Sequence, residues 1–138
     1  MYLLDTNVIS DTRRPRRIDP NLKAWLSRID TGSLHTSVIV MMELERGVLA
    51  MEREDTRQGA VLREWLDTVV KPAFEGRILT IDEAPAEICA ALHIPDHAPE
   101  NDSWIAATAK QHRLILVTRN IKDMDRAGVK LLNPFEAA

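Results

Sequence analysis

The sequence predicts an α/β fold built on a parallel sheet, and three observations carry that expectation. Short runs of branched aliphatic residues alternate along the chain with longer segments of helical apolar spacing. Two of the runs, ILTI and LILV, lack polar alternation, as parallel strands covered on both faces do. At 138 residues the chain is long enough to bury a substantial core, and residues 1–138 are expected to form one domain.

The elements follow in order. Strands are expected at Tyr2–Leu4, Leu34–Thr36, Ile78–Ile81, Leu114–Val117 and Val129–Leu132. Leu22, Trp25, Leu26 and Ile29 recur at helical spacing after Asp19-Pro20, a cap followed by proline in the first turn. SVIVMMELERGV reads as the helix after the second strand. Leu62, Trp65, Leu66 and Val69 repeat the helical pattern, with Pro72 and Gly76 marking its end. EICAAL is an apolar helical setting in which Cys89 reads as a small core residue. HIPDHAPEN, residues 93–101, is broken by two prolines and reads as a loop, and NDSWIAATAKQH reads as the helix after it.

Composition bounds the function classes. Both charge signs are interspersed and the apolar share is ordinary, which argues against a disordered chain. No apolar run approaches a membrane span, and Asp5 interrupts the first apolar stretch too early for a secretory core. A single cysteine cannot form an internal disulfide, so a reducing, cytoplasmic setting is expected. The net charge of −3 argues weakly against nucleic acid, yet 13 of the 18 basic residues are arginine. Four of them, Arg13, Arg14, Arg16 and Arg17, lie in TRRPRR, which reads either as a solvated loop or as a phosphate-binding group.

The acidic positions carry the chemistry. Sites in α/β sheets form outside the carboxyl ends of strands, where Asp5 lies at the end of the first one. Glu43 shares a helix face with Ile39, Val40, Gly47 and Ala50, a face on which a carboxylate is costly unless compensated. Glu45 and Glu52 point the other way and read as solvated surface. Asp102 lies on one face with Ile105, Ala106 and Ala109; taken alone, helix capping and the helix dipole explain it more readily than function does. Thr118, Asn120 and Asp123 follow the fourth strand on the edge that holds Asp5. Oxygen-bearing side chains converging from separate elements suit a hard cation such as Mg²⁺ or Mn²⁺, which serves phosphoryl chemistry. His93 and His97 have helical spacing but lie in a proline-broken loop without a cysteine partner, a poor zinc site. Asn7 stands where a haloacid-dehalogenase-like phosphatase needs a second aspartate, VTRN puts arginine where a receiver domain needs lysine, and no P-loop is present.

Taken together, LLDTNVIS, SVIVMMELERGV, NDSWIAATAKQH, LILVTRN and LNPF resemble, in order and over nearly the whole chain, the blocks of the PIN-domain ribonucleases. The similarity is to the VapC-type toxins of bacterial toxin–antitoxin pairs, with GRILTIDE and IAATAKQH closest to the FitB-like subgroup. The resemblance implies a PIN-like three-layer sandwich, a central parallel five-stranded sheet flanked by helices. It places the family's metal-binding carboxylates on Asp5, Glu43 and Asp102, and its fourth site position on Asn120, with Asp123 as a substitute. Asn7, Ser37 and Thr118 match polar positions that orient those ligands. It further implies an Mg²⁺- or Mn²⁺-dependent endoribonuclease acting on structured RNA such as tRNA, a homodimer, and a VapB-like antitoxin that blocks the site. The alternatives are a DNA or flap nuclease with the same site, and a non-catalytic partner in a DNA-binding complex.

Overall fold

The computed structural model describes residues 1–94, 98–124 and 128–137. Five parallel strands form one sheet: β1 (Tyr2–Leu4), β2 (Leu34–Ser37), β3 (Ile78–Leu79), β4 (Ile115–Val117) and β5 (Leu131–Leu132). Their order across the sheet is β3-β2-β1-β4-β5. The chain therefore builds outward from β1 on one side, then returns to build on the other. The direction reverses between β1 and β4, and the carboxyl ends of these two strands border a crevice of the kind where α/β proteins place their sites. Leu4 is in register with Val117, so Asp5 and Thr118 leave the sheet side by side.

Helices flank the sheet: α1 (Thr6–Asp11), α2 (Pro20–Arg28), α3 (Val38–Glu54), α4 (Thr56–Trp65), α5 (Lys71–Ala73), α6 (Glu83–Leu92), α7 (Glu100–Gln111) and α8 (Ile121–Met124). Residues Leu66–Val70 join α4 to α5 as a π-helical segment. The core is drawn from both classes of element, with Leu3, Val8, Leu22, Val40, Leu66, Ile105, Leu116 and Val117 nearly or fully excluded from solvent. The ring of Tyr2 meets Trp25 edge to face at 5.1 Å, which joins α2 to the first strand. Among the described residues no helix is long and apolar enough to cross a membrane.

Five strands lie where the apolar runs put them, but the two edge strands are shorter than those runs. Ile78 and Leu79 pair with β2, whereas Thr80 and Ile81 continue without a ladder partner. Leu114 is withheld from β4 because its N–H bonds the carbonyl of Ala109, while Arg113 N–H bonds Lys110. Together they close α7 as a Schellman motif, with Arg113 at φ 56° in the position glycine usually takes. The α1 helix is absent from the apolar pattern, being a single short segment started by Asp5.

Candidate active site

The site is built from β1 and β4 outward. The Asp5 backbone N–H donates to Val117 O at 2.9 Å and Thr118 N–H to Leu132 O at 3.0 Å, so both residues are fixed by the sheet before their side chains act. Thr36 Oγ1 donates to the carbonyl of Leu4 at 3.0 Å, which ties β2 to the same point. Asp5 is 2% exposed, and its carboxylate accepts three hydrogen bonds. These come from Thr118 Oγ1 at 2.7 Å, Thr6 N–H at 2.7 Å and Asn7 Nδ2 at 3.3 Å. Asn7 Oδ1 in turn accepts from Arg119 N–H, and Thr118 Oγ1 accepts from Asn120 N–H. One connected network thus joins the start of α1 to the end of β4.

Glu43 joins the network through Thr6, whose Oγ1 donates to Glu43 Oε1 at 2.7 Å. The Thr6 residue therefore holds both acids at once, Asp5 by its backbone and Glu43 by its side chain. Burial pushes the Asp5 carboxyl above the ordinary aspartate range, and the nearby Glu43 charge pushes the same way, against the Thr118, Thr6 and Asn7 hydrogen bonds. The hydroxyl of Thr6 is the compensation that the apolar face around Glu43 demanded. That face is also more open than its residues suggested, with Gly47 and Ala50 exposed.

The remaining positions divide. Asp102 is half-buried in the first turn of α7, where an acid suits the helix dipole, although the N-cap itself is Pro99. Its helix buries Ile105, Ala106 and Ala109 as the spacing required. The α7 helix runs directly into β4 through a tight turn, which sets its N-terminus toward the carboxyl edge of the sheet. Ser37 is buried and its Oγ accepts from Val40 N–H, so it caps α3, the helix that carries Glu43. Asn120 is exposed beside Thr118 at the rim of a wide cavity shared with Arg119, Lys122 and Asn133. The Asp123 side chain and His97 lie outside the described structure. Among the described residues no three His, Cys, Asp or Glu side chains form a cluster that could hold a metal ion.

The arginines separate as well. Arg14, Arg16 and Arg17 are exposed on the turn after α1, whereas Arg13 is half-buried and lines a groove together with Thr6 and Glu43. The site residue that sequence reasoning missed is Thr6. Its signal is a hydroxyl directly after Asp5, but its meaning depends on α1 turning it toward α3.

Glu45 and Glu52 are not bare surface: Arg63 of α4 donates to Glu45 Oε1 at 2.8 Å and to Glu52 Oε1 at 3.0 Å. The guanidinium holds the Glu45 carboxyl below its usual range, and the pair clamps α4 against the helix that carries Glu43. Cys89 is buried, which pushes its thiol up, in keeping with a core residue.

Comparison with known proteins agrees with this architecture. The chain is 39% identical to Toxin FitB of Neisseria gonorrhoeae over 98% of its own length and 99% of that protein's. It is 32% identical to VapC ribonuclease Y4jK of Sinorhizobium fredii over the full length of both. Among solved structures, FitAB bound to the IR36 DNA fragment superposes with a TM-score of 0.89 at 34% identity, covering 100% of this chain and 98% of that one. The PIN domain family model matches residues 2–130, and on that match, with full-length relatives above 30% identity, the chain belongs to the PIN-domain family.

Proposed function

We propose that this chain is the toxin of a toxin–antitoxin pair, a metal-dependent endoribonuclease that hydrolyses RNA phosphodiesters and works over residues 1–138 as one PIN domain. The observation that carries the reading is the Asp5–Glu43 pair, two carboxylates held together at the crevice where the sheet reverses direction. The names of full-length relatives, a toxin and a VapC ribonuclease, support the same reading.

The donor set fits Mg²⁺ or Mn²⁺ because it is all oxygen and because two adjacent carboxylates, one raised in pKa by burial and by its neighbour, favour a cation between them. Asp5 and Glu43, which Thr6 holds side by side, would hold it, with Asp102 as the third acid that only the family resemblance assigns, Asn120 at the rim and Asp123 as a substitute. Such an ion supplies an activated water and offsets the charge that develops on the scissile phosphate. The residues of the chain do the positioning. Thr118, Asn7 and the Thr6 N–H fix the Asp5 carboxylate, and the Thr6 hydroxyl fixes Glu43. Ser37 secures the first turn of the helix that presents Glu43. Arg13, Arg14, Arg16 and Arg17 bring the polyanion to an otherwise repulsive pocket.

The reading includes a VapB-like antitoxin that covers the site, a homodimer as the toxin's own state, structured RNA such as tRNA as substrate, and the cytoplasm as the place of action. A non-catalytic scaffold is less well supported, since it gains nothing from two carboxylates held against each other's charge. The test is cleavage by the purified chain. RNA, but not DNA of the same sequence, should be cut with Mg²⁺ or Mn²⁺ and spared in EDTA. A folded Asp5→Ala protein that still cuts RNA at the wild-type rate would refute the site.

A further inference from the structure

We infer that the groove running from Glu43 to Trp65 is a nucleobase subsite, which takes one base of the RNA beside the scissile phosphate while Arg13 holds the adjoining phosphate. The inference rests on the ribonuclease reading above and adds where the strand lies and which residues choose the base. The groove, about 340 Å³, is lined by Thr6, Ser10, Arg13, Glu43, Gly47 and Trp65 together with the apolar Leu44, Val48 and Leu62. The lining therefore joins one acid of the pair, Glu43, and its hydroxyl donor Thr6 to an indole. The groove meets the site at Glu43 and Thr6.

Gly47 makes the groove more than a gap between helices. It lies one turn after Glu43 on the same face of α3. Glycine inside a helix costs about 1 kcal/mol relative to alanine. In the same hairpin Gly59 has a packing reason, because a Cβ there would lie 2.4 Å from Glu52 Cα. A Cβ at Gly47 would meet nothing within 4 Å. Packing does not require glycine at that position; its effect is to leave the floor of the groove bare beside Trp65.

Charge chooses the occupant. Arg13 lines this groove and also the shallow depression formed by Arg14, Pro15, Arg16 and Arg17. It links an open basic surface to the acidic site in one continuous track, which suits a chain with an anion at every repeat. An aromatic wall and a bare floor suit a flat base, and arginine beside them suits its phosphate. The volume is at the small end of ligand sites and fits one nucleotide, whereas a helix about 10 Å wide needs more room.

The test uses the full chain in EDTA, titrated with a short single-stranded oligoribonucleotide and followed by tryptophan fluorescence. Gly47→Leu, which fills the floor, and Trp65→Leu, which removes the indole, should each weaken binding at least about five-fold, the lower end of what base stacking contributes. The wild-type quenching should disappear in Trp65→Leu. Thermal melts establish that both variants fold; Gly47→Ala, favoured by helix propensity, guards against a folding defect and should weaken binding in the same direction by less. With Mg²⁺ present, sequencing of 5′ ends should show an altered base distribution beside the cut, with KM raised more than kcat is lowered. Folded variants that bind and cut with the wild-type base distribution overturn the proposal. If Gly47→Leu keeps RNA binding but loses a protein partner, the groove is a protein-docking surface and the proposal also fails. A wild type that binds the oligonucleotide through this groove yet cuts no RNA with Mg²⁺ or Mn²⁺ overturns the ribonuclease reading instead and leaves the subsite standing.

Discussion

Asp5 is buried, accepts three hydrogen bonds and still has its proton affinity raised by burial and by Glu43. A carboxyl that binds its proton more tightly in the folded chain than in the unfolded one stabilises the fold in the protonated form. That contribution is complete below pH 3.8, the ordinary aspartate value, and is lost as pH rises through the raised folded value. Near neutral pH and in EDTA, Asp5→Asn should therefore melt higher than the wild type, and the two should converge as pH falls into the acid range. Parallel melting profiles across that range would show that the charge on Asp5 carries no such cost. Mg²⁺ or Mn²⁺ should stabilise the wild type increasingly with concentration and Asp5→Asn much less, since a ligand bound by the native state alone shifts the folding equilibrium.

At the scale of elements, the α3–α4 hairpin positions Glu43, and two features hold it. The Arg63 clamp on Glu45 and Glu52 is partly exposed and contributes modestly. The close approach at Gly59 matters more, because a Cβ there meets helix backbone and not a flexible side chain. Gly59→Ala should cost roughly 1–3 kcal/mol by overpacking, read as a lower denaturation midpoint. An unchanged midpoint would show that the hairpin can separate freely. The α7–β4 turn gives the opposite expectation. Arg113 holds a left-handed conformation in the Schellman closure of α7, so Arg113→Gly should raise stability by up to about 1 kcal/mol in the same assay. A loss of stability would mean that the arginine side chain contributes more than the backbone conformation costs.

The whole molecule carries a net charge of −3, yet four of its 13 arginines form a basic turn beside an acidic crevice. Segregation of this kind lets a mildly acidic protein bind a polyanion. Replacing Arg13, Arg14, Arg16 and Arg17 together by glutamine should weaken RNA binding and flatten its salt dependence, each lost phosphate contact reducing the slope of log K against log salt by roughly 0.7. Turnover at saturating RNA should fall less than affinity. An unaltered slope would assign the turn to solvation or to a protein partner.

The sequence by itself determined the α/β class, all five strands and the place of Asp5 at the end of the first one, because these follow from local periodicity and from strand length. LILV and YLL are apolar without alternation, and Leu116, Val117, Leu3 and Leu4 are indeed buried. Glu43 and Asp102 were visible as charges on faces that otherwise carry apolar and small residues. The tertiary structure alone decided which groups touch. The bond from Thr118 to Asp5 spans 113 positions and the one from Thr6 to Glu43 spans 37, and both depend on strand order and register that no local pattern encodes. The same holds for Arg13, which packing turns into the groove while its three neighbours in TRRPRR stay in solvent. It holds too for the two inner glycines of the α3–α4 hairpin: Gly59 is held by a close contact and Gly47 faces open space, a distinction that exists only once the helices are packed.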